Sequence, residues 1–188
     1  MQRASVTYVR HAMPVSDDGV ESTAWHLSDQ ARRLAGRLAS RLEVDGGIGA
    51  LVSSTEPKAV ETAEAIAAHW SCGITTDERL REVLRPWVGN GYRADAHAYL
   101  RGEAPDTWET YDAVAERVAA AVADARAAAG PGPVVVVSHG LALAVHLGTL
   151  LGPDFDRDGF WRGLAFPDAW TLDAAGTLHR PLVGVAAP

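Results

Sequence analysis

The chain has 188 residues, of which 47% are hydrophobic and 22% charged, and its formal net charge is −7. These values are typical of one ordinary globular domain and argue against a disordered or fibrous class. Because the negative charge repels polyanions, we expect neither nucleic acid nor a membrane surface as a partner. The single cysteine, Cys72, excludes an intramolecular disulfide and a thiolate metal cluster. The N-terminus lacks a signal-peptide pattern and no apolar run approaches about 18 residues, so we expect a cytoplasmic protein.

Strand-like and helix-like segments alternate in the first half of the chain. Strands are predicted at residues 5–9, 50–53 and 74–76, and helices at residues 28–42 and 56–68. Apolar residues recur at helical spacing in the first helix, and Ser28 is available as its N-cap. The next segment, residues 80–102, has no clean period and carries Pro86, Gly89, Gly91 and several aromatic residues. It predicts an irregular insertion at about residues 80–105, placed to form a lid over one end of the sheet.

The second half of the chain continues the alternation. Asp106 begins a long helix predicted at residues 107–128, and the Gly-Pro-Gly-Pro run at 130–133 stops it. A strand at 134–137, a helix at 141–151 and final strands at 169–172 and 178–183 follow. This order predicts an α/β fold: a three-layer sandwich with a mainly parallel central sheet flanked by helices on both faces. We expect residues 1–188 to form a single domain.

Two histidines directly follow predicted strands. The first strand stops at the pair Arg10-His11, and the all-valine strand at 134–137 ends in Ser138-His139-Gly140. In open α/β sheets, ligands bind in the crevice beyond the carboxyl ends of the strands. Both histidines are therefore candidates for chemistry.

A third polar segment, residues 53–63, follows the strand at 50–53 and leads into the second helix. Lys58 lies in the first helical turn, where the positive end of the helix dipole disfavours a cation. A lysine beside the free N–H groups of a helix start favours a phosphate-sized ligand. The alternative interpretation is a solvated surface lysine.

Together these segments resemble the histidine phosphatase superfamily, also called the phosphoglycerate mutase-like family. The marks of that family are an Arg-His pair after the first strand, a Ser-rich segment leading to Arg-Ala and Thr-Ala after the second, and a later Ser-His-Gly. In this chain they read Arg10-His11, then Ser53-Ser54 through Lys58-Ala59 to Thr62-Ala63, then Ser138-His139-Gly140. Each motif is short, but three in the right order at strand ends form a strong joint signal.

The resemblance implies a phosphatase of the histidine acid phosphatase type that hydrolyses a phosphomonoester. His11 would be the nucleophile and would form a phosphohistidine, and His139 would contact the phosphoryl oxygens. Glu82, in Leu80-Arg81-Glu82, fits the family's carboxylic acid, which protonates the leaving oxygen and then assists water. Glu109 is a rival acid, although its spacing from Asp106 suits a capping box. A further alternative for Glu82 is an exposed partner for a nearby arginine.

The resemblance also implies the residues that bind the substrate, which are Arg10, Lys58, Ser53 and Gly140. It implies no metal and no other cofactor, and a small-molecule phosphomonoester as the partner. Lys58 departs from the arginine that is usual in the second motif. Because an ammonium cannot offer the two-pronged grip of a guanidinium, the substrate is expected to be held less firmly.

Three alternatives to this function were weighed. A phosphoglycerate mutase fits the same motifs, but the chain is short beside what the resemblance suggests for mutases. A phosphate-binding pseudoenzyme would explain Lys58. A serine hydrolase is disfavoured because Val136 occupies the place of the glycine that a nucleophile elbow requires. Aromatic residues in the predicted loops favour an organic monoester over a small sugar acid, and a homodimer is left open.

Overall fold

The computed structural model of the protein describes residues 4–17, 19–86, 91–103 and 105–180. Within these residues, six strands form one sheet, in the order β3-β2-β4-β1-β5-β6. The strands are β1 (Val6–Arg10), β2 (Ala50–Ser53), β3 (Thr75–Thr76), β4 (Val134–Ser138), β5 (Asp168–Leu172) and β6 (Leu178–His179). The first four in this order run parallel, and β5 and β6 add antiparallel to one edge. The predicted mainly parallel sheet is confirmed.

Helices cover both faces of the sheet. Their bounds are α1 (Asp29–Ala39), α2 (Pro57–Trp70), α3 (Tyr92–Leu100), α4 (Tyr111–Ala129), α5 (Gly140–Leu151) and α6 (Arg157–Gly163). Helices α1 and α2 pack on one face, and the other four helices pack on the opposite face. The molecule is therefore the predicted three-layer sandwich.

Strand β4 shows why the sheet needs two helical layers. Val134 and Val136 contribute to the core under α4 and α5, whereas Val135 and Val137 contribute to the core under α2. Successive side chains of a strand point to opposite faces, so an unbroken run of valines buries both of them. All four valines are fully buried.

Several predicted elements differ from the structure. Helix α4 begins at Tyr111, and the side chain of Thr110 caps it by accepting from the N–H of Ala113, so the predicted start at residue 107 and the Asp106 capping box are wrong. Residues 80–105 are not irregular throughout, because they contain α3. Helix α6 was not predicted. Strand β6 ends at His179, and residues 181–183 of the predicted strand lie outside the described residues.

The described helices include none that is both long enough and apolar enough to cross a membrane.

Candidate active site

The carboxyl ends of three neighbouring parallel strands meet at one edge of the sheet. Strand β4 lies between β1 and β2, so His11 after β1 and His139 after β4 are brought side by side. Their ring centroids are 5.0 Å apart with an edge-to-face arrangement. The backbone continues the pairing beyond the strands, since the N–H of His11 donates to the carbonyl oxygen of Ser138 at 3.1 Å.

The hydrogen bonds of His11 define which of its nitrogens carries the proton. Nδ1 lies 2.7 Å from the carbonyl oxygen of Ala12. A carbonyl oxygen only accepts, so Nδ1 carries the hydrogen and the lone pair of a neutral imidazole is on Nε2. The N–H of Ala12 donates to the hydroxyl of Thr62 at 3.0 Å, which ties this turn to α2. The arrangement leaves Nε2 as the nucleophilic atom.

Burial and neighbouring positive charge keep both histidines neutral. Burial lowers the pKa of His11 well below its usual value, and His139, Lys58 and Arg10 lower it further. Burial also lowers the pKa of His139 to about 3. An unprotonated imidazole is the form that can act as a nucleophile.

Arg10 and Gly140 are packed against each other beside the two histidines. The guanidinium carbon of Arg10 lies 3.3 Å from the centroid of the Phe166 ring, and Nη1 donates to the carbonyl oxygen of Leu164 at 3.1 Å. Burial lowers the pKa of Arg10 to about 10. Gly140 is fully buried beneath this guanidinium and the ring of Trp161. Gly140 therefore makes room for the cation and does not line the cavity.

Lys58 is buried, contrary to the interpretation as a solvated surface residue. It follows Pro57 in the first turn of α2, and its ammonium group pairs with the carboxylate of Glu56. The same ammonium donates to the carbonyl oxygen of Ser22 at 2.6 Å. Glu56 therefore offsets the unfavourable position of a cation at a helix start, because an anion there is favourable.

The carboxylate of Glu82 lies at the N-terminus of α5. It accepts from the N–H groups of Ala142 at 2.9 Å and Leu141 at 3.3 Å, and from that of Val83 at 3.0 Å. The free N–H groups of a helix start suit such an anion. Glu82 is thus held beside the turn that carries His139 and also lines the cavity.

Arg117, on α4, holds the segment that carries Glu82 from behind. Its guanidinium donates to the carbonyl oxygens of Arg79 at 2.6 Å, Arg81 at 2.8 Å and Glu82 at 3.2 Å. It also pairs with the carboxylate of Glu109 through two bonds of 2.8 and 2.9 Å. Glu109, the rival acid, is therefore a partner of Arg117, and that pairing lowers its pKa against the effect of burial.

These side chains open into one cavity of about 250 Å³. His11, His139, Arg10, Lys58, Glu56 and Glu82 lie at its polar end. Most of the remaining lining is apolar or aromatic and comes from Met13, Pro14, Trp25, Val83, Leu84, Pro86, Tyr92 and Phe166. Met13 and Leu84 are about half exposed, at 53% and 49%. The cavity therefore combines charged groups with apolar and aromatic walls, and its lining is completed by Ser16, Glu21, Ser22, Thr23 and Arg85.

The structure does not bring every predicted residue to this cavity. Ser53 is fully buried at the end of β2 and donates to the carbonyl oxygen of Ser54 at 2.9 Å. Its neighbour Ser54, and not Ser53, contacts a histidine of the site, because Oγ of Ser54 lies 2.8 Å from Nε2 of His139. Sequence reasoning also missed Glu56, although an acidic residue two positions before a lysine at a helix start was an available signal. Nothing in the sequence pointed to Phe166.

In the part of the chain that the structure describes, no group of three or more His, Cys, Asp or Glu side chains has the arrangement of a metal site.

The chain belongs to the histidine phosphatase superfamily (branch 1), whose family profile matches residues 6–165. It is 33% identical over 185 residues to a probable phosphoglycerate mutase GpmB of Citrobacter koseri, with 85% of this chain and 80% of that protein covered.

Solved structures share the fold. YhfR of Bacillus stearothermophilus has a TM-score of 0.72 at 25% identity, over 98% of each chain. A mycobacterial glucosyl-3-phosphoglycerate phosphatase in complex with VO3 has a TM-score of 0.72 at 21% identity, over 97% of this chain and 100% of that one. The relatives include a mutase and a phosphatase, so membership of the superfamily supports phosphohistidine-type catalysis and leaves the particular activity open.

Proposed function

We propose that the protein is a phosphatase that hydrolyses a phosphomonoester through a covalent phosphohistidine on His11, by a route that needs no metal. The observation that carries this proposal is the bond from Nδ1 of His11 to the carbonyl oxygen of Ala12. It leaves a lone pair on Nε2, beside the cations Arg10 and Lys58. Phosphoryl transfer depends mainly on positioning and on stabilising charge on the phosphoryl oxygens, which these groups supply.

The proposed reaction has two steps. In the first, Nε2 of His11 attacks phosphorus, the bond from phosphorus to the ester oxygen breaks, and Glu82, which must enter this step in its carboxylic acid form, gives its proton to the leaving oxygen. In the second, Glu82 takes a proton from water, the water oxygen attacks phosphorus, and the bond to His11 breaks to release phosphate. The position of Glu82 beside the turn of His139 and within the cavity supports this role.

The cavity favours an organic monoester as substrate. Aromatic and aliphatic side chains form much of its lining. The ring of Trp25 is held in place because Nε1 donates to the carbonyl oxygens of Asp17 and Val20 at 3.2 and 3.1 Å. Apolar walls gain affinity from burying an apolar leaving group, and aromatic rings stack on one that bears a ring. A phosphoglycerate mutase is the second candidate, because the relative in Citrobacter koseri carries that name.

The test is turnover of p-nitrophenyl phosphate by the parent protein and by His11→Ala. We expect the variant to lose at least about 1000-fold in kcat, since the covalent step disappears. Acid-quenched reactions with a radiolabelled phosphomonoester should label the parent protein and leave His11→Ala unlabelled. His69→Ala, at an exposed histidine of α2, is the matched control and should behave as the parent.

Other outcomes would select the alternatives. Phosphate binding without turnover or label in the parent protein would indicate a pseudoenzyme. Transfer of phosphate between positions of phosphoglycerate, with little free phosphate released, would indicate a mutase. Hydrolysis of aryl phosphates in preference to 3-phosphoglycerate would support the substrate class.

A further inference from the structure

The carboxylate of Glu56 connects three of the segments that form the site. One oxygen, Oε2, pairs with the ammonium of Lys58 on α2. The other, Oε1, accepts from the backbone N–H of Glu82 at 2.8 Å and lies 3.4 Å from Nε2 of His139. Glu56 is 6% exposed and lines the cavity. A single buried side chain therefore contacts the lysine, the second histidine and the backbone of the acid.

The place of Glu56 in its helix is not explained by capping. Glu56 is the N-cap residue of α2, a position where a side-chain oxygen usually accepts from the N–H groups of the first turn. Its side chain makes no such bond, and turns into the site instead. Burying a carboxylate is costly unless its charge is paired and its oxygens are bonded, and here both oxygens have partners.

The contact with His139 affects which nitrogen of that ring carries the proton. Nε2 is also 2.8 Å from the hydroxyl of Ser54, but a hydroxyl can either donate or accept and so does not select a tautomer. Oε1 of Glu56, 3.4 Å from Nε2, makes no hydrogen bond to the ring, but its negative charge favours the hydrogen on the nearby Nε2. Nδ1 of His139 is buried and has no hydrogen-bond partner among the described residues. In a neutral ring with this tautomer, Nδ1 carries the lone pair and can only accept.

We infer that Glu56 is a positioning residue of this site, which sets the tautomer of His139 and holds Lys58 beside the phosphoryl group. The inference rests on the proposed function for its effect on turnover, and on the geometry alone for its effect on His139. Glu56 does not itself contact the reacting atoms. It acts through Lys58, with which it pairs, and through His139, which it approaches at 3.4 Å.

The experiment compares Glu56→Gln with Glu64→Gln, which removes the same charge from an exposed position of α2. We expect Glu56→Gln to lower kcat for p-nitrophenyl phosphate by about 10- to 100-fold while KM changes less, because positioning acts mainly in the transition state. Glu64→Gln should match the parent. In a double-mutant cycle with Lys58→Gln, the two losses should be less than additive because they act through one ion pair.

A second measurement, by NMR, does not need turnover. In ¹H–¹⁵N spectra of the imidazoles, the parent protein should show His139 with its hydrogen on Nε2, and Glu56→Gln should show a mixture of tautomers. Unchanged His139 signals together with parent values of kcat and KM would overturn the inference, even if His11→Ala confirms the phosphatase. If the parent lacks turnover, the proposed function fails and the His139 spectra alone decide on Glu56.

Glu56→Gln leaves Lys58 as a buried unpaired charge, which can prevent folding. In that event Glu56→Gln combined with Lys58→Gln, which removes both charges, replaces it. The tautomer of His139 then decides: a single Nε2–H form in the double variant overturns the inference, and a mixture supports it.

Discussion

Gly140 fills a narrow space between two side chains of the site. A Cβ atom added at this position would lie 3.0 Å from Nε1 of Trp161 and 3.2 Å from the guanidinium carbon of Arg10. Both distances are shorter than ordinary van der Waals contact, so one neighbour has to move. Arg10 is the neighbour that lines the cavity. The absence of a side chain at residue 140 thus leaves room for the guanidinium of Arg10 at the cavity.

Gly140→Ala should therefore weaken substrate binding. We expect KM for p-nitrophenyl phosphate to rise by roughly fivefold to tenfold, equivalent to about 1 kcal/mol, because Arg10 is displaced from the phosphoryl group. The control is Gly36→Ala in α1, where an added Cβ meets nothing within 4 Å. An unchanged KM in Gly140→Ala would show that Trp161 yields in place of Arg10.

Sequence reasoning located those site residues whose positions follow a general rule of the fold. Arg10 ends a buried strand, and His11 and His139 each directly follow one. In α/β folds, ligands generally bind at the edge where the parallel strands end. Ser53 also ends a strand, but its hydroxyl bonds to the backbone. Glu56 has a local signal in its spacing to Lys58, but its contacts with Glu82 and His139 lie far along the chain, where no local pattern reports them.

At the scale of elements, Ser28 shows a local signal that is sufficient. Its hydroxyl accepts from the N–H of Ala31 at 3.1 Å and caps α1, as predicted. Thr110 does the same for α4, yet the prediction placed that start near Asp106. Asp106 and Thr110 are both reasonable N-caps by sequence, so the residue at which α4 begins depends on the contacts of the segment before it. There Glu109 is drawn away to Arg117 and to the N–H of Leu84.

Ser28→Ala should destabilise the protein by about 1 kcal/mol, because a donor of the first turn of α1 loses its partner. Urea unfolding followed by circular dichroism measures this as a lower midpoint with an unchanged slope. Ser40→Ala, at the exposed C-terminal end of the same helix, is the comparison and should cost only a few tenths of a kcal/mol. Equal losses in the two variants would contradict the capping role.

Helix α6 shows where local patterns fail. It has only seven residues and contains two glycines, Gly159 and Gly163, which lower helix propensity. Tertiary contacts compensate, because Trp161 is buried in the core and His97 of α3 pairs with Asp158 at 2.5 Å. A helix held by its neighbours in this way has no periodic signal of its own.

At the scale of the whole molecule, the sheet was predicted as mainly parallel, and four of the strands in the described residues are parallel. The antiparallel edge could not be read from the sequence, because β5 and β1 are separated by most of the chain and pair only in the folded state. That edge matters to the site, since Phe166 precedes β5 and packs against Arg10.

Buried histidines should make stability depend on pH in a defined window. Burial lowers the pKa of His11, of His139 to about 3 and of His146 to about 4. Below about pH 6.5 the unfolded chain binds protons that the folded protein does not, so stability falls as pH falls. Above that pH these groups contribute no slope. The carboxylates Glu61 and Glu109 have lowered pKa values and lose their contribution only at lower pH.

We therefore expect the free energy of unfolding to decrease from pH 6.5 to pH 5, by at most about 1.4 kcal/mol per pH unit for each histidine. His146→Gln removes one of these groups outside the site; in the parent protein His146 bonds to the hydroxyl of Tyr8. The variant should be less stable at pH 7.5 but should lose less between pH 6.5 and pH 5. Urea unfolding at four pH values measures both slopes, and parallel slopes would contradict the assignment.

Arg117 connects the long helix α4 to the segment that carries Glu82. The side chain donates to the carbonyl oxygens of Arg79, Arg81 and Glu82 from a helix that contributes no residue to the lining of the cavity. A substitution that disturbs these bonds would shift Glu82, and under the proposed function it would lower activity. A genetic screen for lost activity would then identify residues of α4 together with those of the cavity, although α4 does not line the cavity.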